Sequence, residues 1–301
     1  MANLTWIAVD WGTTHLRAFA MGSGGHVLDK AQSDDGMGSL APAEFEPALL
    51  RLIGPWLGSA PVTVLACGMV GARQGWAEAA YQPVPCKPGA AGLTRAATCD
   101  PRLDVLILPG LSQASPPDVM RGEETQILGL LAQNPDFDGV ICLPGTHSKW
   151  AHVSAGEIVS FQTAMTGEIF ALLAERSVLR HALGAGDPDQ EAFDAAIAET
   201  LSRPERLAQA LFGIRAASLL SDQSGSTARG RLSGLLIGAE LAATRPYWLG
   251  REIILAGAPA LSALYARALK SQGASVTIKP GDDLALHGLR LAYETLAKAR
   301  T

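Results

Sequence analysis

The chain has 301 residues, 48% of them hydrophobic and 18% charged, with 29 acidic residues against 24 basic ones and a net charge of −5. The length fits one large or two medium domains, and the composition excludes a disordered chain. The acidic balance excludes a nucleic-acid binder that works through overall positive charge, but it leaves room for a phosphorylated small molecule held by backbone amides. Glycine is over-used, with 32 residues, about 11% of the chain against a usual ~7%.

The opening segment MANLTWIAVD lacks a basic stretch followed by an apolar one, so no secretory signal is expected. No apolar run approaches the roughly 20 residues that span a bilayer. Cys67, Cys86, Cys99 and Cys142 form no C-x-x-C pair, so the expectation is reduced thiols in a cytoplasmic protein.

In chain order, the first predicted strand is Trp6–Asp10, followed by the turn Gly12-Thr13-Thr14. Strands His15–Met21 and Val27–Gln32 flank a glycine turn at Gly22–Gly25. A helix begins at Pro42, with Glu44 and Glu46 in its first turn and Phe45, Leu49, Leu52, Ile53 and Trp56 at helical spacing. Val62–Cys67 and Leu103–Leu108 read as short buried strands of a sheet covered on both faces. After a Ser/Pro-rich loop at Ser112–Pro117, Arg121-Gly122-Glu123-Glu124-Thr125-Gln126 opens a helix running to Ala132.

The pattern then recurs. Strand Gly139–Leu143 leads into Pro144-Gly145-Thr146-His147, strand Lys149–Val153 follows, and Ala155-Gly156 turns into strand Glu157–Gln162. Gly145 lies 133 residues after Gly12, and Gly156 lies 131 after Gly25. A duplicated strand, Gly-Thr turn, strand, hairpin, strand unit implies two similar α/β domains facing each other, each offering one turn to a shared cleft. Residues 167–250 read as helical, through Ile169–Leu179, Glu191–Leu201, Arg206–Leu219 and Leu232–Thr244, with loops at Gly184–Pro188 and Ser221–Gly230. Strand Glu252–Leu255, the turn Ala256-Gly257-Ala258-Pro259, helix Ala260–Lys270, strand Val276–Ile278 and helix Leu284–Ala299 complete the chain. The expected domains are 1–118 and 119–283, with a helical insertion at about 167–250 in the second and a C-terminal helix, 284–300, with the reach to return to the first.

A glycine after a strand lets backbone N–H groups approach phosphate oxygens, and threonine hydroxyls add donors. Asp10, at the end of its strand, is placed to hold Mg²⁺ directly or through water. From one copy, an ordinary hairpin with an Asp-turn reads the same way; two copies in equivalent places argue for phosphate. Arg73 and Gln74, in the glycine-punctuated loop Cys67–Trp76, suit a carboxylated substrate, since a guanidinium fork matches a carboxylate. Arg17, Arg121 and Lys149 stay open for the same role, and Met37-Gly38 is placed to line the same cleft. His147 and His152, an odd number of residues apart beside a strand, face opposite ways and do not form a metal pair. Asp282-Asp283 reads as helix capping. No G-x-x-x-x-G-K-[ST] occurs, which excludes a P-loop kinase by motif.

At this point the sequence resembles the sugar kinases of the actin-like ATPase clan. The matching segments are Asp10-Trp11-Gly12-Thr13-Thr14, Gly122-Glu123-Glu124, Gly145-Thr146-His147 and Ala256-Gly257-Ala258. Within the clan, VDWGTTHLRAF, CGMVGARQGW, MRGEETQILGL, LPGTHSKW and LAGAPALS are similar to the 2-dehydro-3-deoxygalactonokinase family over nearly the whole chain. The resemblance implies two facing ribonuclease H-like domains with mixed five-stranded sheets covered by helices, and phosphorylation of the 6-hydroxyl of 2-dehydro-3-deoxy-D-galactonate. ATP and Mg²⁺ are the implied cofactors. Gly12, Thr13, Thr14, Gly145, Thr146, His147 and Ser148 would hold phosphate, Gly257 and Ala258 adenosine, and Asp10 the metal. Glu123 would be the catalytic base, with Glu124 the alternative. Met37, Gly38, Met69, Arg73, Gln74, Trp76, Arg121 and Lys149 would serve the sugar acid. The departures are Leu143 where Asp10 stands in the first turn, and Ala258 where a second glycine is usual. A kinase for another sugar acid, or a nucleotide-binding regulator that transfers no phosphate, are the rival readings. The expected partners are small molecules, not nucleic acid or membrane, with a homodimer left open.

Overall fold

In the computed structural model, residues 3–281 and 283–300 are described. The chain runs through β1 (Leu4–Trp11), β2 (Leu16–Gly22), β3 (Val27–Ser33), α1 (Phe45–Ile53), β4 (Val62–Gly68), β5 (Tyr81–Pro83), β6 (Thr94–Arg95), β7 (Leu103–Ile107), β8 (Gly110–Gln113), β9 (Asp118–Met120) and α2 (Glu123–Gln133). It continues with β10 (Gly139–Leu143), β11 (Ser148–Ser154), β12 (Glu157–Ala164), α3 (Thr166–Arg176), α4 (Gln190–Ser202), α5 (Leu207–Leu220), α6 (Gly225–Ala243) and α7 (Arg245–Trp248). Strand β13 (Glu252–Gly257), α8 (Pro259–Ser271), β14 (Ser275–Pro280) and α9 (Leu284–Arg300) complete it.

The chain forms two compact units, Met1–Phe137 with Ser154–Ser160 and Asp282–Thr301, and Asp138–Val153 with Phe161–Gly281. The division after Phe137 differs from the expected one at 118/119, because α2 packs on α9. A side chain at Gly288 would strike the Thr125 carbonyl, and one at Gly129 the Leu284 carbonyl, so the two helices approach closely.

In the first unit the sheet order is β3-β2-β1-β4-β7-β6. β1 is antiparallel to β2 and parallel to β4, and β4 is parallel to β7. Strand parity splits β1 between two cores. Ile7, Val9 and Trp11 face Phe45, Leu49 and Ile53 of α1, whereas Trp6 and Ala8 face Leu286, Leu289 and Ala292 of α9. Two-sided burial explains why β1 and β4 are near-continuous apolar runs. The short β6 makes this sheet six-stranded rather than five. Most of the segment expected as a loop at 112–117 is the turn joining β8 to β9 of a small sheet ordered β5-β8-β9, with Ser112 and Gln113 in β8. These strands of three or four residues are too short to show a period in sequence.

The second unit has a sheet ordered β12-β11-β10-β13-β14. Its β10 is antiparallel to β11 and parallel to β13, which is parallel to β14. This repeats β3-β2-β1-β4-β7 in order and in these strand directions, so the duplication seen in sequence is a duplication of topology. The insertion packs Leu179, Ala196, Ile214, Leu232 and Leu235 into a core of its own.

Helix α6 starts at Gly225, where a loop was expected as far as Gly230. Ser224 caps it, its Oγ accepting from the Thr227 N–H at 3.1 Å. Gly230, expected in the loop, serves helix packing, as do Gly234 and Gly238 further along. Side chains at Gly230 and Gly234 would come within 2.3 Å of the Asp189 carbonyl and 2.4 Å of the Phe193 carbonyl, and one at Gly238 within 2.4 Å of the Thr200 hydroxyl. They let α6 lie directly on α4.

Candidate active site

In the first unit, β1 ends in the turn Gly12–His15, closed by the Gly12 N–H donating to the His15 carbonyl at 2.9 Å. Thr13 and Thr14 are exposed and present their hydroxyls. The Met37 N–H donates to the Gly12 carbonyl at 3.0 Å and the Gly38 N–H to the Thr13 carbonyl at 2.9 Å. A Cβ at Gly36 would lie 2.2 Å from the Thr14 backbone. Met37 and Gly38 therefore brace the turn by their backbone.

The second unit repeats this device. A Cβ at Gly167 would lie 2.2 Å from the Gly145 carbonyl, and the Glu168 N–H donates to the Thr146 carbonyl at 2.9 Å. Gly167 follows Gly36 by the 131 residues that separate the hairpin glycines. Each turn also carries a histidine–acid contact, His15 Nδ1 to Asp34 at 3.1 Å and His147 Nε2 to Glu168 at 2.6 Å.

Asp10 and Cys67 are register partners on parallel strands, on the face shared with α9, and the Cys67 Sγ lies 3.9 Å from Asp10 Oδ1. Asp10 Oδ2 lies 3.5 Å from Arg17 Nη2. Burial raises the Asp10 pKa, against the opposing pull of Arg17 and Cys67. Gly68 and Gly122 have φ of +92° and +103°, which side-chain-bearing residues rarely adopt. A Cβ at Gly122 would sit 3.3 Å from the Gly68 Cα, and one at Gly68 would sit 2.6 Å from the Trp11 carbonyl. This stacking of glycines brings the start of α2 onto the ends of β1 and β4.

At that helix start, Glu123 is half-buried and its Oε2 accepts from the Arg121 N–H at 3.1 Å. Glu124 is 3% exposed and accepts from the Gly122 N–H at 2.6 Å and the Thr125 hydroxyl at 2.9 Å. Desolvation first, then the neighbouring Glu123 charge, pushes the Glu124 carboxyl up to about 7.

The loop Met69–Trp76 divides its residues. Arg73 and Gln74 are exposed, and Arg73 Nε lies 3.4 Å from Glu78. Met69 is half-buried. Trp76 packs on Trp11 and Phe45 and donates to the Ala97 carbonyl at 3.2 Å, so its ring serves the core rather than a ligand. Arg121 is 8% exposed; its Nη2 donates to the Ala79 carbonyl at 2.7 Å and its guanidinium lies 4.3 Å over the Tyr81 ring. It holds the loop down.

In the second unit, Thr146 and His147 are exposed on the turn, but Ser148 is completely buried and lies 2.8 Å from the Tyr265 hydroxyl. Lys149 is 5% exposed and donates to Thr163 Oγ1 at 2.8 Å. Burial takes both side chains out of direct reach of a ligand, contrary to the roles expected for them. A Cβ at Gly257 would lie 2.9 Å from the Pro144 carbonyl, so the β13 turn sits against the Gly-Thr turn, and Ala258 is exposed beside it.

Next to these turns is an apolar pocket of about 280 Å³, lined by Gly145, Phe170, Leu236, Leu261 and Leu264, with Thr166 and Arg229 among its polar residues. Arg229 lies 5.2 Å over the Phe170 ring. Sequence reasoning missed Phe170 and Leu236, because apolar helical spacing looks the same in a core as in a pocket wall, and Thr166 and Arg229, because no local pattern places them beside the turn. Among the described residues, no cluster of three or more acids, histidines or cysteines could hold a metal, and His152 stands apart from His147 on β11. Asp282 lies outside the described residues; the Asp283 carbonyl accepts from the His287 N–H at 2.9 Å. All four cysteines are free, and no described helix is long and apolar enough to cross a membrane.

Two copies of one sheet order, each with a Gly-Thr turn, and paired glutamates beside the first define a kinase on the actin-like ATPase fold. The family described as 2-keto-3-deoxy-galactonokinase matches residues 10–292, and the chain belongs to that family. It is 38% identical over 297 residues to a protein of Rhizobium meliloti strain 1021 described as a probable 2-dehydro-3-deoxygalactonokinase, covering 97% of each. It is 37% identical to the 2-dehydro-3-deoxygalactonokinase of Escherichia coli K12, covering 97% of this chain and 98% of that one. A crystal structure from Sinorhizobium meliloti, provisionally described by the same activity, superimposes with a TM-score of 0.88 at 37% identity, covering 97% of this chain and 96% of that one.

Proposed function

We propose that this protein phosphorylates the 6-hydroxyl of 2-dehydro-3-deoxy-D-galactonate with ATP. The observation that carries this reading is the first unit's junction, where α2 brings two glutamates to the strand ends that bear Asp10 and the Gly12–Thr14 turn. Phosphoryl transfer is mainly positioning and charge stabilisation, and these groups supply both.

Glu123 accepts the proton of the 6-hydroxyl as that oxygen attacks the γ-phosphorus in line; the bond to the β-phosphate oxygen breaks and ADP leaves. Half-exposure leaves Glu123 reachable, whereas Glu124 is enclosed and acts on the charge balance around it. Backbone N–H groups and hydroxyls of Thr13, Thr14 and Thr146 hold phosphate oxygens. The apolar pocket beside Gly257 and Ala258 takes the adenine. Arg73 meets the substrate carboxylate, and Arg121 keeps the loop that carries it in place. Asp10 fits Mg²⁺, because this ion is commonly held by one or two carboxylates together with waters and substrate phosphates. When bound, the ion would neutralise charge on the β- and γ-phosphates. Four free thiols and catabolism of a sugar acid suit a reducing cytoplasm.

The test is a pair of variants. Glu123→Gln lowers kcat at least ~100-fold, the usual scale of general-base loss, with KM for the sugar acid little changed. Glu124→Gln retains measurable turnover. Full activity in Glu123→Gln with none in Glu124→Gln would move the base to Glu124.

A further inference from the structure

We infer that Glu240, on α6 of the helical insertion, is a positioning residue that fixes the second Gly-Thr turn and the adjoining pocket wall in the geometry that receives a nucleotide. This rests on the nucleotide-binding reading above and gives the insertion a part in it. Glu240 is 5% exposed, yet each of its carboxylate oxygens meets a donor. Its Oε1 accepts from Trp150 Nε1 at 2.7 Å and its Oε2 from the Tyr265 hydroxyl at 2.7 Å. The Thr166 hydroxyl is a further donor to it. Tyr265 gives its single proton to Glu240, so the Ser148 hydroxyl, 2.8 Å from Tyr265, is the donor where those two pair.

Strand parity puts this network under the turn. Ser148 and Trp150, two residues apart on β11, point to the same face, where Ile237 and Leu241 of α6 share a core with Trp150. Lys149 between them points the other way, to Thr163.

Three groups of this network adjoin the candidate nucleotide site. Ser148 directly follows Gly145-Thr146-His147. Thr166 opens α3, whose Gly167 and Glu168 brace the same turn. Tyr265 on α8, like Thr166, lines the apolar pocket. One carboxylate therefore ties the turn, the brace and the pocket wall to α6. A buried carboxylate is costly unless its lone pairs are met by donors, and here several converge. Burial raises its pKa, and the hydroxyl and indole donors oppose that shift. Leucine at this place would serve the core; only an acceptor with two oxygens can hold donors from β11, α3 and α8 together.

The test titrates ADP into the full-length protein by calorimetry, alongside steady-state kinetics. Glu240→Gln keeps the shape but replaces an acceptor oxygen by a donor. It is expected to weaken ADP binding at least tenfold and raise KM for ATP to match, with KM for the sugar acid within twofold of wild type. Tyr265→Phe, which removes one donor, gives a smaller loss of the same kind and carries the test if Glu240→Gln does not fold. ADP affinity within twofold of wild type in the folded variants, or equal rises in both KM values, overturns the inference. Wild type that binds ADP but phosphorylates no sugar acid would overturn the kinase reading alone, and the titration would still decide the role of Glu240. Wild type that binds no nucleotide would overturn both.

Discussion

At the start of α2, two adjacent glutamates differ only in what surrounds them. Glu123 keeps contact with solvent, whereas Glu124 is enclosed and held up to about 7 by burial and by its neighbour's charge. A carboxyl whose folded pKa lies above its unfolded value favours the folded state while protonated. Its contribution is fully present below the unfolded pKa of 4.5 and is lost as pH rises through about 7. For the ligand-free protein this amounts to roughly 3 kcal/mol. Denaturant unfolding of wild type and Glu124→Gln between pH 4.5 and 8 should show wild type losing stability relative to the variant across that window. Parallel curves would mean that Glu124 ionises as an ordinary surface carboxylate. The acidic pair was legible in the sequence, but its division into an enclosed and a reachable member was not. That division depends on Gly68 and Gly122 letting the helix settle on the strand ends. Burial decided Ser148, Lys149 and Trp76 too, and motif matching carries no information on which side of a strand is covered.

The strands were legible wherever apolar runs ended in glycine, proline or acid; Gly139–Leu143 was read with both ends right. Helix α6 was misread at its start because glycine has two opposite uses, in turns and where helices touch. Two substitutions separate these uses. Gly234→Ala places a methyl 2.4 Å from the Phe193 carbonyl, which cannot move freely, and should cost about 1–3 kcal/mol. Gly213→Ala on α5 meets nothing within 4 Å and should gain about 0.5–1 kcal/mol of helix stability. Thermal unfolding should therefore shift in opposite directions. A shift in the same direction for both would contradict the packing account of α6. The small sheet of β5, β8 and β9 went unread because its pairings are set by tertiary contacts rather than by local period.

Across the whole molecule, the duplication was visible as a recurrence of glycines 131 to 133 residues apart, and the structure extends it to the braces at Gly36 and Gly167. The C-terminal helix was expected to have the reach to return to the first unit, but the gathering of 119–137 and Ser154–Ser160 into that unit was not visible. Helix α9 belongs to it through the stacking of Tyr293 on Trp6 at 4.2 Å, a contact between distant residues with no local signature. On the proposed reading an acidic chain can serve ATP, because backbone amides at a Gly-Thr turn need no basic surface. The central claim is tested most directly by following ADP release from ATP and Mg²⁺ with the purified wild-type protein across a panel of sugar acids. The account predicts ADP formed in equimolar amount with a 6-phosphate when 2-dehydro-3-deoxy-D-galactonate is supplied. ADP release no faster with any deoxy-ketoaldonate than with buffer alone would contradict it.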